Sequence, residues 1–340
     1  MKRSKAGAAL CGAMLVAWVA ASGAARAEVG EVKIARQFGI HYLPLVVMED
    51  QKLVEKRARA DGLGEVRVEW VQLSGGATVN DALLSHAVDF SAGGVGPLIV
   101  LWDKTHDTKN EVKGLAAVSD VPMTLTTRDP KVKTIADFTD QDRIALPAVK
   151  TSMQAVTLQM AAAKQWGDAN FTKLDPLTVS MRHPDAAAAM ISGFGNQITS
   201  HFTAAPYDFM ELKNPAIHAV LDSYDVYGGP ATLIVLYATR QFVDGNPKVA
   251  RAVVEAMGDA MELIGKNHRE AAEIYLRVTK EKTKLEDMVS MLDNPKIAFR
   301  LQPSNTYPVA VFLHRIGRIK TEPASWKDYF FPSAHALPGS

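Results

Sequence analysis

The chain has 340 residues, of which 47% are hydrophobic and 22% are charged, and its 38 basic residues nearly balance its 37 acidic ones. This composition, without a long low-complexity tract, predicts a folded globular protein and excludes a disordered or fibrous one. The balanced charge leaves nucleic-acid binding without an electrostatic basis.

The N-terminus has the three parts of a secretory leader. Three basic residues in the first five positions precede the apolar run Ala6 to Ala21, and Ala25-Arg26-Ala27 follows. The apolar run is shorter than the roughly 20 residues of a membrane-spanning helix. We therefore expect residues 1–27 to be a signal peptide that is cleaved after Ala27, giving an exported protein. The mature chain would be free of cysteine, because Cys11 is the only one, and slightly acidic.

Short β-like runs alternate with amphipathic helical runs, which predicts α/β layers with largely parallel sheets. In the first part of the chain we expect three strands and two helices. The strands are Val32 to Arg36, Val66 to Leu73 and Phe90 to Ala92, and the helices are Pro44 to Ala60 and Thr78 to His86. The glycine-rich segment after the third strand predicts a tight loop before the next helix.

A comparable unit of helix, turn, strand and loop is predicted later in the chain. Its parts are a helix at Pro184 to Ser192, a turn at Gly193 to Gly195, a strand at Gln197 to Ser200 and a loop at His201 to Pro206. A further helix, Met153 to Trp166, is predicted before it. The two units share the order of their predicted elements and not their amino-acid sequence. This similarity suggests two lobes of the same design.

Two β-rich stretches, Gly114 to Thr127 and Val220 to Thr239, lie between these units, where they would carry the chain between lobes. A chain that crosses twice between two lobes forms a hinge between them. We therefore predict one lobe from residues 29–120 plus 230–340 and a second lobe from residues 121–229. The mature chain is long enough for each lobe to bury its own core.

The C-terminal part of the sequence predicts mostly helices, which we expect to pack on the outside of the first lobe. A long helix is expected to start at Asn246-Pro247 and to run through Lys266, since proline suits the first helical turn. The tail Pro323 to Ser340 is rich in aromatic residues, so we expect it to dock on the fold and not to be a disordered end.

Four blocks in this order resemble the substrate-binding subunits of ABC importers of the nitrate/sulfonate/taurine type. They are Val32 to Leu53, Ser74 to Phe90, Thr134 to Pro147 and Val243 to Ala272. The resemblance implies an α/β, two-lobed periplasmic binding protein of type II (Venus-flytrap), with a ligand cleft between the lobes. It further implies a monomer that delivers a small anionic ligand to an ABC permease. The sequence departs from the pattern at Ala87, where a glycine is usual, and at Asn196-Gln197, where the second lobe often has an acid.

Ligand contacts are expected at loops beyond the strand ends, because ligands of open α/β sheets lie beyond the carboxyl ends of the strands. Helix N-termini at such places bind anions without needing arginine. The candidates are Gly39, His41, Tyr42, Gly75, Gly76, Ser91, Gly93, Gly94, Thr151, Ser152, His201, Thr203 and Tyr227.

Each candidate also has a purely structural explanation. The glycines can serve tight turns, and the Thr151-Ser152 pair can be a helix N-cap. His41 and Tyr42 can be a packed pair, and Tyr227 can belong to the hinge. The sequence therefore predicts the cleft more strongly than any one contact.

Catalysis finds little support, because the sequence has no nucleophile-elbow, zinc-protease or phosphate-loop motif. The nine histidines are scattered without metal-ligand spacing, so we expect neither a metal nor a cofactor. Two alternatives stay open. One is a periplasmic enzyme related to the thiamine-precursor synthases, which share this fold but rely on a cysteine-rich motif that the mature chain lacks. The other is a ligand-sensing subunit of a membrane receptor.

The chemistry of the ligand also stays open at this point. Backbone N–H groups and hydroxyls suit a sulfonate or nitrate, whereas the histidines and aromatic residues among the candidates would also suit a planar aromatic carboxylate.

Overall fold

The computed structural model describes residues 28–193 and 198–340. The predicted signal peptide, most of the predicted turn at Gly193 to Gly195, and Gln197 at the start of a predicted strand lie outside these residues. Within the described ranges, no helix is both long enough and apolar enough to cross a membrane.

In the part of the chain that the structure describes, ten strands form two separate five-stranded sheets. In chain order they are β1 (Glu31–Arg36), β2 (Arg67–Gln72), β3 (Phe90–Gly94), β4 (Val112–Asp120), β5 (Thr124–Thr127), β6 (Ile144–Leu146), β7 (Thr178–Ser180), β8 (Ser200–Thr203), β9 (His218–Asp222) and β10 (Thr232–Thr239).

The first sheet has the strand order β2-β1-β3-β10-β4, and the second has the order β7-β6-β8-β5-β9. In the first sheet β1 runs parallel to β2 and β3, while β10 is antiparallel to β3 and β4. In the second sheet β6 runs parallel to β7 and β8, while β5 is antiparallel to β8 and β9. The protein is therefore two-lobed and α/β, with the same arrangement of strands in each lobe.

The described chain contains thirteen α-helices, which pack on and around the two sheets. They are α1 (Leu43–Gln51), α2 (Leu53–Ala60), α3 (Gly76–Leu84), α4 (Val95–Thr105), α5 (Met153–Trp166), α6 (His183–Ser192), α7 (Tyr207–Leu212), α8 (Ser223–Tyr227), α9 (Arg240–Gly245), α10 (Pro247–Lys266), α11 (His268–Thr279), α12 (Leu285–Leu292) and α13 (Tyr307–Arg315).

Two of these helices and the tail confirm the sequence predictions. Helix α5 has the predicted bounds, and α10 begins at Pro247 and ends at Lys266. The tail docks on the first sheet: Phe330 forms a β-bridge with Gly114, and the Ser340 N–H donates to the Pro303 carbonyl at 3.0 Å.

Two local predictions are wrong. The single helix predicted at Pro44 to Ala60 is two helices, because Lys52 has a positive φ of 51° that interrupts the helical backbone between α1 and α2. The strand predicted to end at Ser200 instead begins there, so His201 and Thr203 belong to β8 and not to a loop. All four residues of β8 are buried, and such a strand lacks the alternation of polar and apolar residues that marks a strand in sequence.

The chain passes between the two sheets at residues 121–123 and 223–231. The lobe boundaries at residues 120/121 and 229/230 stay a prediction. The lobes touch each other along the cleft: the Ile40 N–H donates to the Ala205 carbonyl at 3.0 Å, and the Gly96 N–H lies 3.2 Å from the Met153 sulfur. These contacts describe a closed arrangement of the lobes.

Candidate functional site

A small cavity of about 30 Å³ lies between the two lobes in this closed arrangement. The described residues that line it include no lysine, arginine, aspartate or glutamate. They are Gln37, Phe38, His41, Tyr42, Gly94 and Pro97 on the first lobe, Pro147, Ser152, Met153, Gln154 and His183 on the second lobe, and Leu233 and Ile234 on β10.

The N-terminus of α5 forms one wall of the cavity. Ser152 caps this helix: its Oγ accepts the Ala155 N–H at 3.2 Å, and the side chain is buried. The first regular backbone bond of the helix is from the Val156 N–H to the Ser152 carbonyl, so the N–H groups of Met153 and Gln154 lie before the helical ladder. They carry the positive end of the helix dipole, which suits an anion.

A chain of four buried polar side chains leads from the same wall into the second lobe. Gln154 Nε2 lies 3.3 Å from His183 Nε2, and His183 Nδ1 lies 2.8 Å from His201 Nε2. His201 Nδ1 lies 2.6 Å from a Glu211 carboxylate oxygen. His183 also stacks on the Tyr207 ring, with 5.7 Å between the ring centroids. The orientation of His183 at the cavity is therefore fixed by packing and by hydrogen bonds on both sides.

Both histidines at the cavity wall are neutral near pH 7. Burial lowers the pKa of His41 to about 3. Burial, with smaller contributions from His201 and His41, lowers the pKa of His183 well below its ordinary value. The cavity therefore offers neutral donors and acceptors and not fixed positive charge.

Among the described residues, nothing is hydrogen-bonded to His41 Nδ1, which is buried. The His41 ring lies directly over Gly39: a Cβ on Gly39 would lie 2.3 Å from the ring, and Gly39 has a φ of 116°. Only glycine fits this position, because both the space and the backbone conformation exclude a side chain.

Four of the thirteen candidates from the sequence lie at the cavity wall. They are His41, Tyr42, Gly94 and Ser152. Gly94 is close to the opposite lobe, since a Cβ there would lie 2.7 Å from the Met153 Cβ.

Three candidates lie behind the wall. Thr203 Oγ1 is 3.1 Å from His183 Nδ1, and His201 is the next residue of the buried chain, so both act on the cavity through His183. The Tyr227 hydroxyl is hydrogen-bonded to Thr157 in α5. These contacts give Thr203, His201 and Tyr227 positions that support the wall without forming it.

Other glycine candidates serve packing. A Cβ on Gly93 would lie 2.7 Å from the Tyr237 hydroxyl, and one on Gly75 would lie 3.1 Å from the Pro147 carbonyl oxygen of the other lobe. Gly76 is the first residue of α3.

The remaining two candidates, Ser91 and Thr151, are placed differently from the cavity residues. Ser91 is buried within the first lobe, with its hydroxyl 3.5 Å from the Val79 carbonyl. Thr151 is exposed and lines a separate groove with Lys104, Lys150 and Arg318.

Sequence reasoning missed Gln37, Phe38, Gln154 and His183. Gln154 looks like any residue in the first turn of a helix, and His183 looks like a residue that precedes a helix-starting proline. The available signal was topological: His183 follows β7 as Ser152 follows β6, and β6 and β7 are parallel neighbours. Their carboxyl ends therefore open on the same edge of the sheet.

The profile of the NMT1-like family matches residues 25–276. The chain belongs to the NMT1-like family. This assignment covers both sheets and every residue of the cavity wall. Among curated protein sequences, none matches the chain.

Solved structures of binding proteins have the fold of this NMT1-like protein. The alkanesulfonate-binding protein SsuA from Xanthomonas axonopodis pv. citri bound to MOPS is 17% identical, with a TM-score of 0.68, and the match covers 92% of this chain and 100% of that one. The nitrate-binding protein NrtA from Synechocystis PCC 6803 is 17% identical, with a TM-score of 0.67 and coverages of 89% and 84%. The aliphatic sulphonate-binding protein SsuA from Escherichia coli is also 17% identical, with a TM-score of 0.64 and coverages of 89% and 92%.

At these identities the likeness establishes the periplasmic binding protein fold. Within the described ranges, no group of three or more histidine, cysteine, aspartate or glutamate residues is placed to hold a metal ion.

Proposed function

We propose that this protein is the substrate-binding subunit of an ABC importer, exported to the periplasm, and that it captures a small organic or inorganic anion. The observation that carries the proposal is the cavity between the lobes, whose wall is made by both lobes and by the N-terminus of α5. A ligand in this place would hold the lobes together. Its binding would therefore favour the closed state, whose outer surface a permease can recognise.

The wall favours a ligand with an acid group of delocalised charge. The Ser152 hydroxyl, the α5 N–H groups and the amides of Gln37 and Gln154 are neutral donors, and such donors hold an oxyanion by several hydrogen bonds. Each hydrogen bond to a charged group contributes about 1.5–3 kcal/mol. Sulfonate, nitrate and carboxylate groups all fit this description, and the printed names of the solved neighbours include sulfonate and nitrate binders.

Aromatic side chains at the opposite wall favour an organic ligand over nitrate. Phe38, Tyr42 and the His41 ring line the first-lobe side of the cavity. They present apolar surface to the part of the ligand that points away from α5. We therefore propose a sulfonate or carboxylate with a short aliphatic or aromatic body.

A thermal-shift screen tests the proposal. The panel contains ethanesulfonate, taurine, MOPS, nitrate, benzoate and acetate, with choline as a cationic control, in an amine buffer such as Bis-Tris because sulfonate buffers can occupy the site. An anion at 100 times its dissociation constant adds about 2.7 kcal/mol to the free energy of unfolding. Stabilisation by choline and by none of the anions would contradict the proposal.

A binding protein and an enzyme of this fold differ in what happens to the ligand. The ligand recovered after hours with the protein should be chemically unchanged, as shown by mass spectrometry. Product formation would instead support the enzyme. Co-purification with a permease, tested in detergent-solubilised inner membranes with the ligand added, separates the importer from a receptor subunit.

A further inference from the structure

A second space between the lobes adjoins the cavity and is much larger than it. This space, which we call the arginine groove after Arg36 and Arg182 in its lining, has a volume of about 450 Å³ and shares Gln37 and Phe38 with the cavity wall. Both lobes contribute to it, because Arg36 belongs to the first lobe and Arg182 to the second.

The volumes of the two spaces assign different parts of a ligand to them. A buried water needs about 10–15 Å³, so the cavity of about 30 Å³ has room for one small acid group and not for an organic body. The arginine groove has the volume of a small-molecule site. The groove at Thr151 shares only Pro97 with the cavity wall and, at about 150 Å³, is smaller than such a site. The body of an organic ligand therefore extends from the cavity into the arginine groove.

The arginine groove also differs from the cavity in charge. The described residues of the cavity wall include no charged lysine, arginine, aspartate or glutamate side chain. Four cationic side chains and one carboxylate line the groove, namely Arg36, Arg182, Lys280, Lys282 and Glu281. Glu49 and Asp185 pair with the two arginines, and when they are included four positive charges face three negative ones. A cleft with an excess of positive charge attracts anions.

Arg36 is a buried cation whose donors the fold satisfies only in part. The residue is 5% exposed, and its Nη2 donates to a Glu49 carboxylate oxygen at 2.6 Å. Its Nε is buried, and none of the described residues accepts a hydrogen bond from it. A guanidinium has five N–H donors, so a single carboxylate oxygen leaves most of them without an acceptor. An acid group in the groove would supply the missing negative charge and acceptors.

Arg182 reaches the same groove from the second lobe. Its Cζ lies 5.3 Å from the centroid of the Phe38 ring, and its Nε lies 3.1 Å from an Asp185 carboxylate oxygen. Both side chains of this ion pair are more than half exposed, and exposed ion pairs contribute little to stability. Arg182 can therefore exchange Asp185 for an acid group of the ligand at small cost, and its planar fork suits a carboxylate.

The two arginines are also neighbours in sequence of cavity residues. Arg36 is the last residue of β1 and precedes Gln37, while Arg182 is the N-cap residue of α6 and precedes His183. We propose that the ligand carries two acid groups, one in the cavity at the N-terminus of α5 and the other in the groove at Arg36 and Arg182. This inference rests on the proposed function, which places the first acid group. The ligand class is then an organic dianion, such as a dicarboxylate or a sulfocarboxylate.

The single carboxylate that lines the groove distinguishes a dianion from a zwitterion. Glu281 accepts from the Tyr207 hydroxyl at 3.3 Å and from the Lys282 N–H at 3.2 Å. It is the only lining residue that could pair with an ammonium group, against four cations that repel one. A ligand with a distal ammonium group should therefore bind more weakly than one with a distal carboxylate.

Isothermal titration calorimetry with matched ligands measures the contribution of the second acid group. One set is 1-propanesulfonate, 3-sulfopropanoate and 3-aminopropanesulfonate, and the other is pentanoate, glutarate and 5-aminopentanoate, each in Bis-Tris. Within a set the first acid group is constant and the distal group is methyl, carboxylate or aminomethyl. We expect one ligand per protein and a dissociation constant about 10- to 100-fold lower for the diacid than for the methyl compound. This advantage should shrink from 50 to 500 mM salt, because the groove is open to screening ions.

The outcomes separate this inference from the proposed function. Binding of the methyl compounds with no advantage for either diacid would overturn the inference and leave the proposed function standing. Two monoacids per protein would place separate anions in the cavity and the groove, and would overturn it as well. An absence of binding by every anion, in both sets and in the thermal-shift panel, would contradict the proposed function and the inference with it.

Matched variants identify the residues responsible. Arg182→Gln changes an exposed side chain and should reduce the advantage of the diacid about tenfold. Arg36→Gln combined with Glu49→Gln removes that ion pair as a unit, so that no unpaired carboxylate is left behind, and should have the same effect. Arg269→Gln is the control, because this exposed arginine pairs with Glu273 and does not line the groove. A folded Arg182→Gln variant with the full advantage, or an equal loss in Arg269→Gln, would overturn the assignment.

Discussion

Replacing Ser152 separates the two tasks that its hydroxyl performs in the structure. The Oγ atom accepts the Ala155 N–H and so caps α5, while none of the described residues accepts the hydroxyl's own proton, which is free to donate into the cavity. An N-cap serine replaced by alanine costs about 1 kcal/mol of stability, whereas glycine at an N-cap costs only about a few tenths. The Ser152→Gly variant therefore removes the donor and leaves the fold nearly as stable.

The expected loss of affinity is larger than the loss of stability. A hydrogen bond to a charged group contributes about 1.5–3 kcal/mol, so the dissociation constant of an anion should rise about 10- to 150-fold in both Ser152→Ala and Ser152→Gly. Ser152→Asp retains an N-cap oxygen but adds a negative charge at the wall, and it should bind the anion more weakly than the alanine variant does.

Calorimetric titration and urea unfolding of the three variants test this reasoning. Thr134→Ala is the matched control, because Thr134 is an N-cap of the same lobe that accepts the Ala136 N–H at 3.2 Å and does not line the cavity. The Thr134→Ala variant should have a lower free energy of unfolding and an unchanged dissociation constant for the anion. An unchanged dissociation constant in Ser152→Gly would show that Ser152 is a helix cap and nothing more.

Three further predictions concern closure and stability. Gly94→Ala should weaken binding and leave the protein in the open form by small-angle scattering, because the new Cβ would lie 2.7 Å from the Met153 Cβ. Asp208→Asn should raise the free energy of unfolding by about 1–2 kcal/mol at pH 7.5, as measured by urea unfolding. Burial raises the pKa of Asp208 in the folded protein to about 6, so the free energy of unfolding of the unsubstituted protein falls as the pH rises from about 4 to 6. The variant should lack this fall. Thr232→Val should lower that free energy by about 1–3 kcal/mol, because the buried Asp120 carboxylate loses a donor at 2.8 Å.

The fold was predictable because its elements have strong local signals. Helix α5 begins at a serine cap and continues through residues that form helices well, and α10 starts with a proline at its first position. Strand β8 gave a weaker signal, since it is buried on both faces and pairs with strands from distant parts of the sequence. The break at Lys52 depends on a left-handed backbone conformation that no sequence pattern marks.

The sequence predicted where the candidate site lies better than it predicted which residues line it. Loops after parallel strands indicate which edge of each sheet faces the cleft, and this led to His41, Tyr42, Gly94 and Ser152. The same rule cannot distinguish a residue at the wall from one directly behind it. His201 and His183 differ in this respect by a single hydrogen bond of 2.8 Å, and only the packing of α6 against β8 decides which ring reaches the cavity.

A wall of neutral donors suits a protein that must open as readily as it closes. A lysine or arginine at the wall would have to leave water at each closure, at a cost of several kcal/mol per ion. The buried chain avoids that cost, because Glu211, its bond to Thr126 and its pairing with His201 all lie within the second lobe and do not cross the cleft. Closure therefore brings only neutral side chains and backbone dipoles to the part of the ligand in the cavity.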